Sequence, residues 1–140
     1  MEGEYTDADI LLTVDVARLL SAKKKGLFKT INSSILKNQI PSIYRDKDNQ
    51  WYGMSLRARI FIYHKDRVAD KELKGYLGLM DSNWKFRLLV RSSNNVYNQS
   101  LVSAMIYNYG RETTKDFLSR FTKNFARNPS GGDRDQIRAV

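Results

Sequence analysis

From Leu56 to Tyr63 the chain alternates without a break: Leu56, Ala58, Ile60 and Ile62 fall on one side, Arg57, Arg59, Phe61 and Tyr63 on the other. A period of two is the mark of a half-buried β-strand, because successive side chains of an extended backbone point to opposite faces. Ile10, Leu12, Val14 and Val16 repeat the pattern, as do Trp84, Phe86, Leu88 and Val90 against Lys85, Arg87, Leu89 and Arg91. Tyr76 to Met80 reads as a shorter strand, joined to the last of these in a hairpin by Asp81-Ser82-Asn83. Elsewhere the spacing is helical. Leu27, Ile31 and Ile35 stand at i, i+4 and i+8 and must end by Pro41, whose ring pushes the preceding residue out of the helical region. Leu101, Met105 and Tyr109 form a second stripe closed by Gly110, and Phe117, Phe121 and Phe125 a third, capped by Thr113 and closed by Pro129. These elements predict an α+β fold, an antiparallel sheet packed with two to three helices in a single compact domain. The domain covers 10–127, preceded by a flexible N-terminal arm at 1–9 and followed by a mobile, Gly- and Ser-bearing C-terminal tail at 128–140.

A chain of 140 residues with 41% apolar side chains can bury one core. With 24 Lys and Arg against 15 Asp and Glu it carries a net charge of +9, a field that favours nucleic acid, anionic lipid or an acidic protein. Cysteine is absent, which excludes a disulfide framework and thiolate-bound metal. His64 is the only histidine, no Gly-rich phosphate loop occurs, and the paired carboxylates Asp46/Asp48 and Asp133/Asp135 fall in turn and tail segments. The reading is therefore of a protein that is not an enzyme and has no cofactor or metal. Apolar stretches fall well short of the roughly 20 residues that span a bilayer, and Met1-Glu2-Gly3-Glu4 is acidic and lacks the apolar region of a secretory signal.

Cations concentrate in two places. Lys23, Lys24 and Lys25 crowd one turn, with Lys29 and Lys37 on the helix that follows; such a cluster suits an anionic leaflet. Arg57, Arg59, Lys85, Arg87 and Arg91 lie on the polar faces of two expected strands, interleaved with Phe61 and Tyr63, a combination suited to phosphate contact with ring stacking.

Two families resemble this pattern. Leu12-Thr13-Val14-Asp15-Val16, Phe28-Lys29-Thr30, Arg67-Val68-Ala69-Asp70, Gly75-Tyr76-Leu77, Ser100 to Ile106 and Asp116-Phe117 follow, over 8–126, the order and texture of rhabdovirus matrix proteins, with a plant-infecting branch the better fit. That resemblance implies a viral matrix protein that self-associates under the envelope, binds the anionic inner leaflet and condenses the viral nucleocapsid for budding. Its partners would be itself, the nucleocapsid, RNA and the membrane surface, in the virion and at the inner face of host membranes, with a nuclear role open. It assigns membrane contact to the loop Lys65 to Lys71, so that Lys65, Arg67, Val68, Ala69 and Lys71 join the cluster Lys23, Lys24 and Lys25 as expected membrane-binding residues, while the strand-face cations Arg57, Arg59, Lys85, Arg87 and Arg91 are the expected nucleocapsid or nucleic-acid contacts. The alternative is a small basic DNA- or RNA-binding regulator, since Leu12 to Leu20 and Gln39-Ile40-Pro41 resemble helix-turn-helix modules of the excisionase type. A strand over Ile10 to Leu20 favours the first, a helix the second.

Overall fold

The computed structural model describes residues 7–140, so residues 1–6 of the expected N-terminal arm lie outside the described part. The chain divides into two compact units, one closing at Ala58 and the other running Arg59–Val140.

In the first unit Asp15 caps a helix, its carboxylate accepting from the backbone N–H of Ala17 at 3.0 Å, and α1 follows as Val16–Lys24. An N-cap oxygen pairs one of the donors that a helix start leaves bare, and Lys23 and Lys24 sit in the last turn, where cations meet the negative end of the helix. The alternation that predicted a strand from Ile10 therefore gives way to a helix at Val16. The second helix is shorter than its spacing implied: α2 is Ser34–Gln39, capped by the Ser33 hydroxyl, because Leu27 to Asn32 takes no regular form. Its end is tied by Arg45, whose Nη1 donates to the Lys37 carbonyl at 2.6 Å.

The turn at Asp46 to Trp51 organises this unit. The buried Asp46 carboxylate accepts from the amides of Asp48 and Gln50, each at 3.2 Å, and from the Lys23 ammonium. The Asp46 amide donates to the Trp51 carbonyl at 3.0 Å, and Ile31 reaches the turn through its amide to the Asn49 carbonyl at 2.9 Å. Trp51 Nε1 is enclosed without a partner among the described residues. Gly53 has to be glycine here: its amide donates to the Tyr44 carbonyl at 2.8 Å, and a Cβ would stand 2.9 Å from that oxygen.

The second unit is built on α4, Val96–Tyr109, and α5, Arg111–Phe121, which pack against each other. Gly110 ends one and begins the other at φ 80°, a left-handed conformation that costs glycine little. Trp84, Leu79, Met105 and Phe117 are buried. Phe117 stacks on Phe121 at 4.9 Å between ring centroids, and Phe121 meets Phe125 edge-on at 5.0 Å, so the expected aromatic stripe does face inward. Asn124 is the polar anchor: its Nδ2 donates to the carbonyls of Leu79 and Asp81, both at 2.9 Å, and its own carbonyl accepts from Arg87 and Leu88. Beyond Pro129, residues Asp133–Ala139 form α6.

The antiparallel sheet does not form. Among the described residues pairing is limited to two isolated bridges, Arg45 with Tyr52 and Leu88 with Phe125. Tyr76 to Met80 contains a four-residue helix, α3 (Gly75–Gly78), and Ser82–Trp84 winds as a 3₁₀ turn where the hairpin turn was expected. Phe86 sits at φ 59°, which breaks any strand through Trp84 to Val90. Between Leu56 and Tyr63 there is no ladder, and Leu56 and Ile60 stay about 70% exposed. A period of two specifies which face would be buried; it supplies no neighbour to take the backbone hydrogen bonds, and a strand is stable only with both.

Candidate functional site

The cations marked out by the sequence are mostly engaged. Lys23 is not free to meet a leaflet, since its ammonium lies 2.7 Å from Asp46 and 2.6 Å from Asp48. Those hydrogen bonds hold its pKa above the ordinary value. Lys24, Lys25, Lys65 and Lys71 are exposed. Arg67 donates to the Val140 carbonyl, with Val68 partly covered and Ala69 exposed beside it. Arg87 lies 4.8 Å over the Trp84 ring, pairs with Glu72 at 3.4 Å and donates to the Arg67 carbonyl; Lys85 lies 5.3 Å over Phe86. Arg57 belongs to the first unit. With no sheet, Arg57, Arg59, Lys85, Arg87 and Arg91 do not share a strand face. Within the second unit Arg59 and Arg91 come to one place, the start of α4.

That place is assembled from four short links. Asn95 caps α4, its side chain accepting from the Tyr97 amide at 2.9 Å. Asn98 turns back, its Nδ2 donating to the carbonyls of Arg91 at 2.8 Å and Ser92 at 3.2 Å, and so fixes the approach to the helix. Arg59 donates to the Tyr97 carbonyl and reaches Asn98 Oδ1 at 3.5 Å. Arg91, four-fifths covered, lays its guanidinium 5.5 Å from the centre of the Tyr97 ring and pairs with Asp133 at 2.7 Å. A cation over an aromatic face is attracted to it, so Arg91 and the start of α4 meet at the Tyr97 ring.

Four other tyrosines have different surroundings. Tyr52 spends its hydroxyl on Ile31 and Asn49. Tyr63 donates to Asp70 at 2.5 Å, and that bond holds its phenol above the ordinary pKa. Burial pushes Tyr76 up as well, although Arg59 pulls the other way. Tyr107 is 91% exposed. Acid and imidazole ligands do not gather: among the described residues no three His, Cys, Asp or Glu are grouped to hold a metal, and His64 lies on the surface near Asp66. In the first unit a cleft of about 180 Å³ opens beside Ile40, Pro41, Tyr44 and Met54, but its lining has no charged group. Tyr97 and Asn98 went unmarked in the sequence because they are single residues at a helix start, and Asp133 was set aside as one of a pair of tail carboxylates. The available signal was the pair Asn95 and Tyr97, a cap with a phenol in the first turn.

Residues 6–133 match the sequence model of a family described as bacterial extracellular solute-binding protein. Iron uptake protein A1 of Synechocystis sp. is 45% identical over 139 residues, 99% of this chain and 39% of that protein. The Fe(3+)-binding periplasmic protein of Serratia marcescens is 28% identical over 125 residues, 89% of this chain and 36% of that protein. Among solved structures, Trichodesmium IdiA (FutA), in complex with iron and citrate ligands, aligns at a TM-score of 0.90 and 41% identity over 99% of this chain and 44% of its own. The chain thus spans about two fifths of the length of the relatives it matches.

These matches overturn the viral reading in each of its parts: matrix function, virion and host-cell location, budding, and a nucleocapsid, membrane or self-assembled lattice as partner. They overturn the DNA- or RNA-binding alternative too, although a helix does begin at Val16. A helix is a local event, and nothing in it specifies nucleic acid. No helix among the described residues is long and apolar enough to cross a membrane.

Proposed function

The chain belongs to the bacterial extracellular solute-binding proteins, and from that premise we propose that it takes part in binding ferric iron, with the Tyr97 phenol as one donor. Relatives that match nearly all of this chain or most of it are named for iron uptake and for Fe(3+) binding. A highly charged, hard cation takes oxygen ligands, and tyrosine phenolate is among those that proteins offer to iron. The observation that carries the choice is the Arg91 guanidinium 5.5 Å from the Tyr97 ring at the start of α4. Metal binding requires the ligand deprotonated. One phenol does not close a coordination sphere, and the relatives are more than twice as long as the span they share with this chain. We therefore assign this chain a part of the site. The role is that of a carrier that binds and releases its cargo without converting it, outside the cytoplasmic membrane.

Titration with ferric citrate, followed through the visible charge-transfer band of an iron-bound phenolate, tests the assignment. Wild type develops the band, Tyr97→Phe loses it, and Tyr107→Phe keeps it. A wild-type chain that stays colourless at saturating iron overturns the reading.

A further inference from the structure

We propose that Asp133 is a positioning residue for the Tyr97 phenol, acting through Arg91. The inference rests on the reading of Tyr97 as an iron donor. Arg91 is held at both ends: Asn98 Nδ2 donates to its backbone carbonyl at 2.8 Å, and Asp133 takes its Nη1 at 2.7 Å, with the guanidinium carbon 5.5 Å from the centre of the Tyr97 ring. Its Nε is enclosed and finds no acceptor among the described residues, and the Nη1 bond to Asp133 is the side-chain contact that orients the guanidinium. An arginine is a rigid fork, and fixing one nitrogen fixes the plane.

Asp133 is itself delivered by the chain around it. It is the first residue of α6, where the helix end favours a carboxylate. Asp135 accepts from the Gly132 amide at 2.7 Å to close that first turn, and Arg127 donates to Gln136 at 3.1 Å. A segment 36 to 42 residues beyond Arg91 and Tyr97 in sequence therefore sets the charge beside the phenol. Because Asp133 is two-thirds exposed, the ion pair adds little to stability, as surface pairs generally do. Its consequence falls on the geometry beside the phenol: the carboxylate holds the guanidinium that lies against the Tyr97 ring.

The experiment is a double-mutant cycle in the full chain, read by ferric citrate titration and by the position of the charge-transfer band. Asp133→Asn and Arg91→Gln each weaken ferric binding about 10-fold, the lower end of what outer-sphere partners of metal ligands contribute, and each moves the band. The double variant loses no more than either alone, because the two act as one unit. Asp133→Glu restores both affinity and band position, and circular dichroism melts stay within a degree or two. Wild-type affinity and band in Asp133→Asn, or losses that simply multiply in the double variant, overturn the proposal while leaving Tyr97 as a donor. If Tyr97→Phe retains the band, the donor reading and this inference fall together.

Discussion

The Lys23 ammonium bridges Asp46 and Asp48 at 2.7 and 2.6 Å, joining the end of α1 to a turn more than 20 residues away in sequence. Burial alone would raise the Asp46 carboxyl, but the Lys23 bond and the amides of Gln50 and Asp48 outweigh it and hold the group below its ordinary value of 3.8. A depressed carboxylate contributes stability that is fully present above its unfolded pKa, about 4, and is lost as pH falls through the folded value. Lys23 is raised instead, so its share persists up to 10.5 and goes only as pH climbs through the raised value. The melting temperature is expected to be flat from about pH 5 to 9 and to drop in acid. Asp46→Asn should blunt the acid fall; an unchanged acid limb in that variant would remove the bridge from the account.

Removing the Asp46 side chain altogether does more than break an ion pair. The amides of Asp48 and Gln50 lose their acceptor inside a tight turn. Leaving buried or half-buried donors unpaired costs about 1–3 kcal/mol, so Asp46→Ala should shift the urea midpoint downward. Asp48→Ala, whose carboxylate is half exposed, should hardly move it.

Gly110 allows a purely conformational test. Nothing lies within 4 Å of where its Cβ would be, so alanine meets no clash, yet φ is 80°. An L side chain in that region costs about 1–2 kcal/mol. Gly110→Ala should lose that amount in chemical denaturation and Gly26→Ala, at φ 70° and equally open, a similar one.

In the second unit the largest single loss belongs to Phe117, which is 1% exposed and stacked on Phe121. Truncating a buried phenylalanine costs about 3–5 kcal/mol. Asn124→Ala strips the partner from the Leu79 and Asp81 carbonyls and should cost about 1–3 kcal/mol. Thermal melts that rank Asn124→Ala above Phe117→Ala would show that polar closure, not aromatic packing, dominates this unit.

Helices at α4 and α5 were legible because 3.6-residue spacing and Gly110 act locally, and the Phe117, Phe121 and Phe125 stripe named its own buried face. The strands were not. Leu56 to Tyr63 reads as a strand from its own side chains, but whether a backbone joins a sheet depends on a neighbour that no local pattern encodes. Lys23 shows a related limit: within a like-charged run it looks free until Asp46 and Asp48, distant in sequence, are brought against it. Net charge of +9 constrains the class of partner only weakly, since arginines such as Arg87 and Arg91 are spent on Trp84, Glu72, Tyr97 and Asp133. The collinear likeness to matrix proteins rested on short motifs of common residues, which many unrelated chains share.

Each unit holds one tryptophan: Trp51 in the first, with its indole N–H enclosed and without a partner among the described residues, and Trp84 in the second, 4% exposed beneath Arg87. The chain thus carries its own pair of optical reporters. Trp51→Phe leaves an emission that follows the second unit alone, and Trp84→Phe one that follows the first, so unfolding curves from the two variants tell whether the halves separate in one step or two.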